Sequence, residues 1–187
     1  MRNEGIWLLE WVAHYRTLGF DRLVIFTNDC TDGTDLMLDR LTELGEVVHV
    51  RNADYGAEGP QARALYRAMA DIPEAGRADW LLLVDADEFL KIDHGDHSLD
   101  ALLDAIDGFD ACALAWVPFG DNGHRLWPEI PVMAACTARD DRPKWSKLFH
   151  KPLFRPKRFA RIGPHMPKFP KSPGVRQCNG AGEEISP

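Results

Sequence analysis

Two carboxylates, Asp85 and Asp87, stand one alanine apart, are followed at once by Glu88, and close the apolar run Trp80-Leu81-Leu82-Leu83-Val84. Side chains at i and i+2 of an extended chain point the same way, so this pair can hold one hard divalent cation, directly or through water, beside a phosphate. A buried carboxylate is costly unless a cation or a donor compensates it, and acids at the end of a core strand therefore mark a candidate site. The plainer alternative is a solvated turn. The apolar run itself has the length and continuity of a strand covered on both faces of a sheet.

Two enzyme classes place an Asp-x-Asp after such a strand. In phosphatases of the haloacid dehalogenase type the motif opens the catalytic domain, its first Asp is a nucleophile, and a Lys and then an acidic pair follow. Here a long segment precedes the motif, and Asp140-Asp141 come before Lys144 and Lys147, which is the wrong order. In glycosyltransferases of the GT-A type the motif sits mid-domain, after a nucleotide-binding half, and its position in this chain favours that class.

The elements that must position these acids are legible in the local pattern. Glu4–Leu18 reads as an amphipathic helix with Trp7, Leu8, Trp11, Val12 and Tyr15 on one stripe and Gly19 as its stop. Residues 22–27 form an apolar strand, and Asn28–Thr34 is a turn into a helix over 35–44 that Gly45 ends. A strand over 46–50 follows, then a loop with Gly56, Gly59 and Pro60 and a helix over 61–71. Past the Trp80 strand, Ser98 opens a short helix, and residues 110–117 form a further strand. Alternating strands and helices imply a three-layer α/β/α fold with a mostly parallel sheet. Ligands on such sheets bind beyond the carboxyl ends of the strands. That rim would gather Asn28–Thr34, the loop ending at Gln61, and Asp85–Glu88. From Phe119 onward Pro and Gly break the pattern, and no internal repeat or second domain is evident.

The chain has 187 residues, 45% of them apolar, enough for one full core. No stretch reaches bilayer-spanning length and no secretory leader is evident, so a cytoplasmic protein is expected. Cys30, Cys112, Cys136 and Cys178 lack zinc or disulfide spacing. Net charge is −7, but residues 151–187 carry eight Lys or Arg against two Glu. An acidic body argues against nucleic acid as partner. The basic end can meet a diphosphate, an anionic acceptor or an anionic membrane surface, or be a solvated tail.

Several residues have two readings. Asp32 can contact a nucleotide or cap the following helix. Gln61, just inside a helix, can offer its amide and the helix N-terminus to a phosphate or sugar, or be an ordinary helix start. Asp121 can be the base that deprotonates an acceptor hydroxyl, or form a turn. Lys147 and His150 can meet a diphosphate, and His124 can bind acceptor or pack in its turn. His14 reads as structural, Glu88 as a supporting or helix-start acid, and Trp116 and Trp127 as core or as sugar-stacking rings.

Taken in order, Arg2-Asn3-Glu4-Gly5, Leu9-Glu10-Trp11-Val12-Ala13-His14-Tyr15, Asn28-Asp29-Cys30-Thr31-Asp32-Gly33-Thr34, Asp85-Ala86-Asp87-Glu88-Phe89 and Phe119-Gly120-Asp121-Asn122-Gly123-His124 resemble the family-2-like glycosyltransferases of bacteria. The resemblance runs from residue 2 to about residue 165, leaving 166–187 as a basic, Pro/Gly-rich tail. It implies a GT-A fold, a nucleotide-sugar donor, a divalent metal such as Mn²⁺ or Mg²⁺, and a glycan or lipid-linked acceptor. It places Asn3 and Glu4 near the nucleotide, Asn28 and Asp32 by base and ribose, and Asp85 and Asp87 at ribose and metal, with His165 completing the metal site. Cell-envelope polysaccharide or lipopolysaccharide assembly at the inner face of the membrane is the setting it suggests. The family's first strand would precede Arg2, so a truncated, non-catalytic relative is the main alternative expectation.

Overall fold

The computed structural model describes residues 1–140 and 149–185, arranged as two compact units. Met1–Pro73 with Asp85–Asp107 make the first unit, and Glu74–Val84 with Gly108–Pro187 make the second.

In the first unit, helix α1 (Leu8–Leu18) buries Leu8, Trp11, Val12 and Tyr15 along one stripe. It ends where Gly19 turns left-handed at φ 106°, a conformation without steric cost only for glycine. Strands β1 (Val24–Thr27) and β2 (Val48–Arg51) pair in parallel, from Val24 opposite Val48 to Thr27 opposite Arg51. Met1 pairs with the other edge of β1: its amino group donates to the Phe26 carbonyl (2.5 Å) and its carbonyl accepts from Asn28 N–H (3.2 Å). Helix α2 (Thr34–Glu43) crosses from β1 to β2. Helix α3 (Pro60–Ala70) begins with a proline, whose missing N–H is no loss at that position. Helix α4 (Pro73–Arg77) is one turn long and, past Pro73, belongs to the second unit. Helix α5 (Leu99–Ala105) is capped by the Ser98 hydroxyl, which accepts from Ala101 N–H at 3.1 Å.

A buried polar relay ties these pieces together. The His49 side chain, 2% exposed, bonds Thr27 Oγ1 through Nε2 (2.7 Å) and the Asp39 carboxylate through Nδ1 (2.7 Å). Arg51 then spans Asp35 and Asp39, each at 2.5 Å. The end of β1, the middle of α2 and the whole of β2 are thereby held in one register.

In the second unit a five-stranded sheet runs in the order β3-β5-β4-β8-β9. The strands are β3 (Leu81–Leu82), β4 (Ala111–Ala115), β5 (His150–Phe154), β8 (Gln177–Asn179) and β9 (Glu184–Ile185). Helix α6 (Val132–Ala135) lies between β4 and β5 in sequence, and β6 (Phe159–Arg161) and β7 (Lys168–Pro170) form a separate antiparallel hairpin. Cys112, Leu153, Phe154, Phe159 and Cys178 are fully buried, with the Phe154 and Phe159 rings edge to face at 5.8 Å. Asp110 anchors the rim, accepting from Arg158 Nε (2.9 Å) and Arg176 N–H (3.1 Å).

The fold is mixed α/β, and the expectation of a mostly parallel sheet is corrected here. Among the described residues, β1–β2 and β4–β8 are parallel, while β3–β5, β4–β5, β6–β7 and β8–β9 are antiparallel. The Trp80 run is not a strand buried on both faces: only Leu81–Leu82 are strand, half-buried, at the sheet edge beside β5. A continuous apolar run reports burial but not which neighbour supplies it. The strand that pairs with it, β5, lies in a Pro-broken segment that has no alternating pattern. Residues 166–185, read as a tail, contain β7, β8 and β9.

Replacing His49 by Phe leaves the Thr27 hydroxyl and the Asp39 carboxylate without this partner and is expected to destabilise the protein by about 1–3 kcal/mol in urea melts. Hydrogen bonds from His49 and Arg51 hold the Asp39 carboxyl below its ordinary value. Its contribution is therefore complete above the unfolded carboxylate pKa of about 4 and fades as pH falls through the lower folded value. Melting temperature of Asp39→Asn measured from pH 6 down to pH 3 should show a shallower acid slope than that of the parent. In the second unit a Cβ on Gly163 would come within 2.2 Å of the Met166 carbonyl. Gly163→Ala should accordingly speed hydrogen exchange in β6 and β7.

Candidate functional site

The site of the first unit is assembled on α1. Trp11 Nε1 donates to the carbonyls of Asp85 (3.3 Å) and Glu88 (3.1 Å). The Tyr15 hydroxyl donates to the Glu88 carbonyl (3.0 Å) and accepts from Leu90 N–H (3.2 Å). His14 Nε2 meets the Leu90 carbonyl at 2.9 Å. The Glu88 side chain folds back to accept from Asp85 N–H at 2.8 Å, closing the turn. Backbone groups from Asp85 to Leu90 that would otherwise face a low-polarity helix surface are thus satisfied by aromatic N–H and O–H donors. Ala86 is buried while Asp85 and Asp87 on either side of it are exposed. The turn therefore presents both acids outward from a fixed backbone.

A second turn meets the chain's start. Asn3, left-handed at φ 58°, accepts Thr31 N–H at 2.8 Å and donates to Thr31 Oγ1 at 3.2 Å. The buried Thr34 hydroxyl accepts Glu4 N–H (2.9 Å) and donates to Asp32 Oδ1 (2.6 Å). Asp32 also accepts from Thr34 N–H (2.9 Å) and Gly5 N–H (3.1 Å), and these bonds depress its carboxyl pKa. Its carboxylate is engaged in starting α2 and holding residues 3–5, the helix-start role rather than a free ligand. Asn28 donates to Asp29 (3.1 Å), and Tyr55 donates to the same Asp29 oxygen at 2.7 Å.

The two turns act on the same groups at the start of the chain. Burial raises the Glu4 carboxyl above its ordinary value, and the negative charge of Asp87 and then of Asp32 adds to the rise. Burial lowers the Met1 amino group, against the charges of Cys30, Glu4 and Asp85. Since Met1 pairs at the carboxyl end of β1, the acids Glu4, Asp85 and Asp87 gather at that end.

The remaining expected residues divide. Gln61 is exposed in the first turn of α3. Asp121, in the second unit, accepts Gly123 N–H through Oδ1 (2.9 Å) and His124 N–H through its carbonyl (3.0 Å), the geometry of a turn-forming Asp. His165, also in the second unit, is exposed, with Nδ1 at 3.2 Å from the His150 carbonyl. Lys147, Lys144 and Asp141 lie outside the described residues. Among the described residues no group of three His, Cys, Asp or Glu side chains is placed to hold a metal ion by itself. Of the expected metal set, Asp85 and Asp87 belong to the first unit and His165 to the second.

Trp11, Tyr15 and Thr34 were visible only as a helix stripe and a loop-to-helix boundary. Their signal was available: polar-tipped aromatics on a buried stripe need acceptors, and an acid-rich turn offers carbonyls.

The profile of glycosyltransferase family 92 matches residues 1–175. A glycosyltransferase family 92 protein of Ricinus communis is 27% identical over 157 residues, covering 81% of this chain and 27% of that protein. The chain therefore spans about a quarter of that relative's length. The bacterial family-2-like assignment is corrected in its family, because short Asn/Asp turns and an Asp-x-Asp are too local to separate glycosyltransferase families. The converging acids, the turn pinned by α1 and the match along nearly the whole chain agree, and the chain belongs to glycosyltransferase family 92.

Proposed function

We propose that the chain binds a nucleotide-diphosphate sugar and transfers its sugar to an acceptor hydroxyl, with the donor seated at the carboxyl end of β1. The observation that carries this reading is the convergence of Asp85, Asp87 and Glu4 there, on a turn whose backbone α1 fixes. The family match supports the same reaction class and sets the phosphatase alternative aside. For the enzyme as a whole we infer a GT-A-type, three-layer arrangement, which the parallel β1–β2 pair and its flanking helices favour.

The residues fit a divalent cation that arrives with its substrate. Asp85 and Asp87 leave the turn exposed on either side of buried Ala86, and two carboxylates with diphosphate oxygens are a common way to hold Mg²⁺ or Mn²⁺. Asp85 and Asp87 would hold it, and when bound it supplies Lewis-acid stabilisation to the departing diphosphate. The protein's own part is orientation. Trp11 and Tyr15 fix the turn before any ligand enters, so that little ordering is left for binding. Asn3 and Thr31 hold the neighbouring loop against the start of α1. Asp121 keeps a turn in this reading rather than serving as base.

Thermal shift of the purified chain with UDP, GDP, CMP and dTDP, each with and without Mn²⁺, tests the proposal. One nucleotide should stabilise the chain only with metal, and Asp87→Asn should remove that shift while leaving the ligand-free melt unchanged. A sharp melt unmoved by every nucleotide would refute donor binding and leave a folded, non-catalytic relative. Trp11→Phe keeps the ring but loses the indole N–H, and should reduce the nucleotide-dependent shift more than the intrinsic stability. Asp121→Asn retains an acceptor for Gly123 N–H, and transfer measured with the identified donor should stay within a few fold. A loss of about 100-fold or more would instead assign Asp121 as the base.

A further inference from the structure

Between β4 and β5 the second unit carries a closed excursion that the proposed reaction does not use. Its neck is zipped by Gly120 N–H to the Ala138 carbonyl (2.8 Å) and Asp140 N–H to the Pro118 carbonyl (3.0 Å). Asn122 clamps it further, donating to Thr137 Oγ1 (2.7 Å) and accepting from Ala138 N–H (2.9 Å). Beyond that clamp the tip exposes aliphatic side chains: Leu126 is 86% exposed and Ile130 is 43% exposed. Phe119 at the neck is exposed as well. The tip also contains Pro128 and Pro131, which have no N–H to desolvate, and its only Lys, Arg, Asp or Glu residues are Arg125 and Glu129.

The β6–β7 hairpin is next to this neck. Its connecting residue His165 reaches the Phe149 ring (6.1 Å) and the His150 carbonyl (3.2 Å), and Phe149 stacks edge-on to Trp116, just before the neck (5.9 Å). Across the hairpin Arg161 and Lys168 are direct partners, both exposed, and Phe169 beside them is 63% exposed. Like charges directly opposite on paired strands repel unless an anion stands between or above them. The second unit carries fourteen Lys and Arg against nine Asp and Glu, a net +5, while the first unit carries −12.

We propose that this excursion and the hairpin beside it form a docking surface for an anionic lipid bilayer. Leu126 and Ile130 enter the interface between headgroups and acyl chains, and Arg161 and Lys168 meet lipid phosphates. Leu126 and Ile130 favour hydrocarbon, and the half-buried Trp127 between them has the apolar body and polar tip that suit the boundary between headgroups and acyl chains. The basic pair supplies the complementary charge. The surface lies in the second unit and its occupancy does not depend on nucleotide binding.

Flotation of the full chain with vesicles of phosphatidylcholine alone, and of phosphatidylcholine with one third phosphatidylglycerol, tests this. Binding is expected to the anionic vesicles, to be weaker on the neutral ones, and to fall as NaCl rises from about 0.1 to about 0.5 M. Leu126→Asp and Ile130→Asp should each weaken it about tenfold or more. Arg161→Gln with Lys168→Gln should remove the salt dependence, and Leu36→Asp, an exposed position of α2 in the first unit, should leave binding unchanged. The replaced side chains are exposed, and unchanged melts of the variants confirm folding; if Ile130→Asp fails to fold, Leu126→Asp decides alone. Absence of binding, equal binding to both vesicle types, or binding untouched by the loop substitutions overturns the proposal. Self-association without lipid that Leu126→Asp abolishes would overturn it in favour of a second copy of the chain.

Discussion

Everything proposed for the first unit depends on one constraint: the turn Asp85–Leu90 must satisfy its backbone polar groups while packed against a helix. Trp11 and Tyr15 meet it with an indole N–H and a phenol hydroxyl that reach the Asp85 and Glu88 carbonyls and Leu90 N–H. An apolar stripe without those tips would bury the same surface but leave carbonyls unpaired, at the cost of an unmade hydrogen bond for each. The turn would then open toward water and its acids would lose a fixed direction. The same side chains thus serve packing and site geometry.

The second turn is fixed by a different device. Asp32, Thr34, Gly5 and Asn3 exchange short-range bonds that lock the start of the chain to the start of α2. Behind them the Thr27–His49–Asp39 relay fixes β1 against β2 and α2. The polar groups at this rim are therefore of two kinds. Asp32 and Asp39 bond side chains and N–H groups of the protein itself and Glu88 closes its own turn, whereas Asp85 and Asp87 are exposed on either side of buried Ala86. That exposure, rather than the number of acids, is what the proposed donor site rests on.

The second unit is organised around Phe154 and Phe159, with the charged rim of Asp110, Arg158 and Arg176 closing one side. Its pairings join residues far apart in the chain, β4 with β5 and then with β8. Such contacts need long loops to close, and the excursion at 118–140 is one of them. A loop that exposes Leu126 despite a zipped neck places apolar surface outside the core by construction.

Local chemistry was enough for the sequence to determine many features of this chain. Gly19 and Gly45 end helices because both positions require positive φ, at 106° and 79°. Ser98 starts α5 because its hydroxyl reaches an N–H three residues on. The Asp-x-Asp turn was legible because apolar and acidic residues change over within one residue. Tertiary structure alone decided strand direction, since a buried run such as Leu81–Val84 looks the same in a parallel interior or at an antiparallel edge. It decided between the two readings of Asp32 and Asp121, both of which hold turns, and it alone showed that Glu4 shares a field with Asp87 and that residues 166–185 add strands. The Asp121 turn and the Asp32–Thr34 bonds are local and so were open to the sequence as alternatives; the others rest on hydrogen bonds or charges between positions distant in the chain, of which spacing along the sequence carries no record.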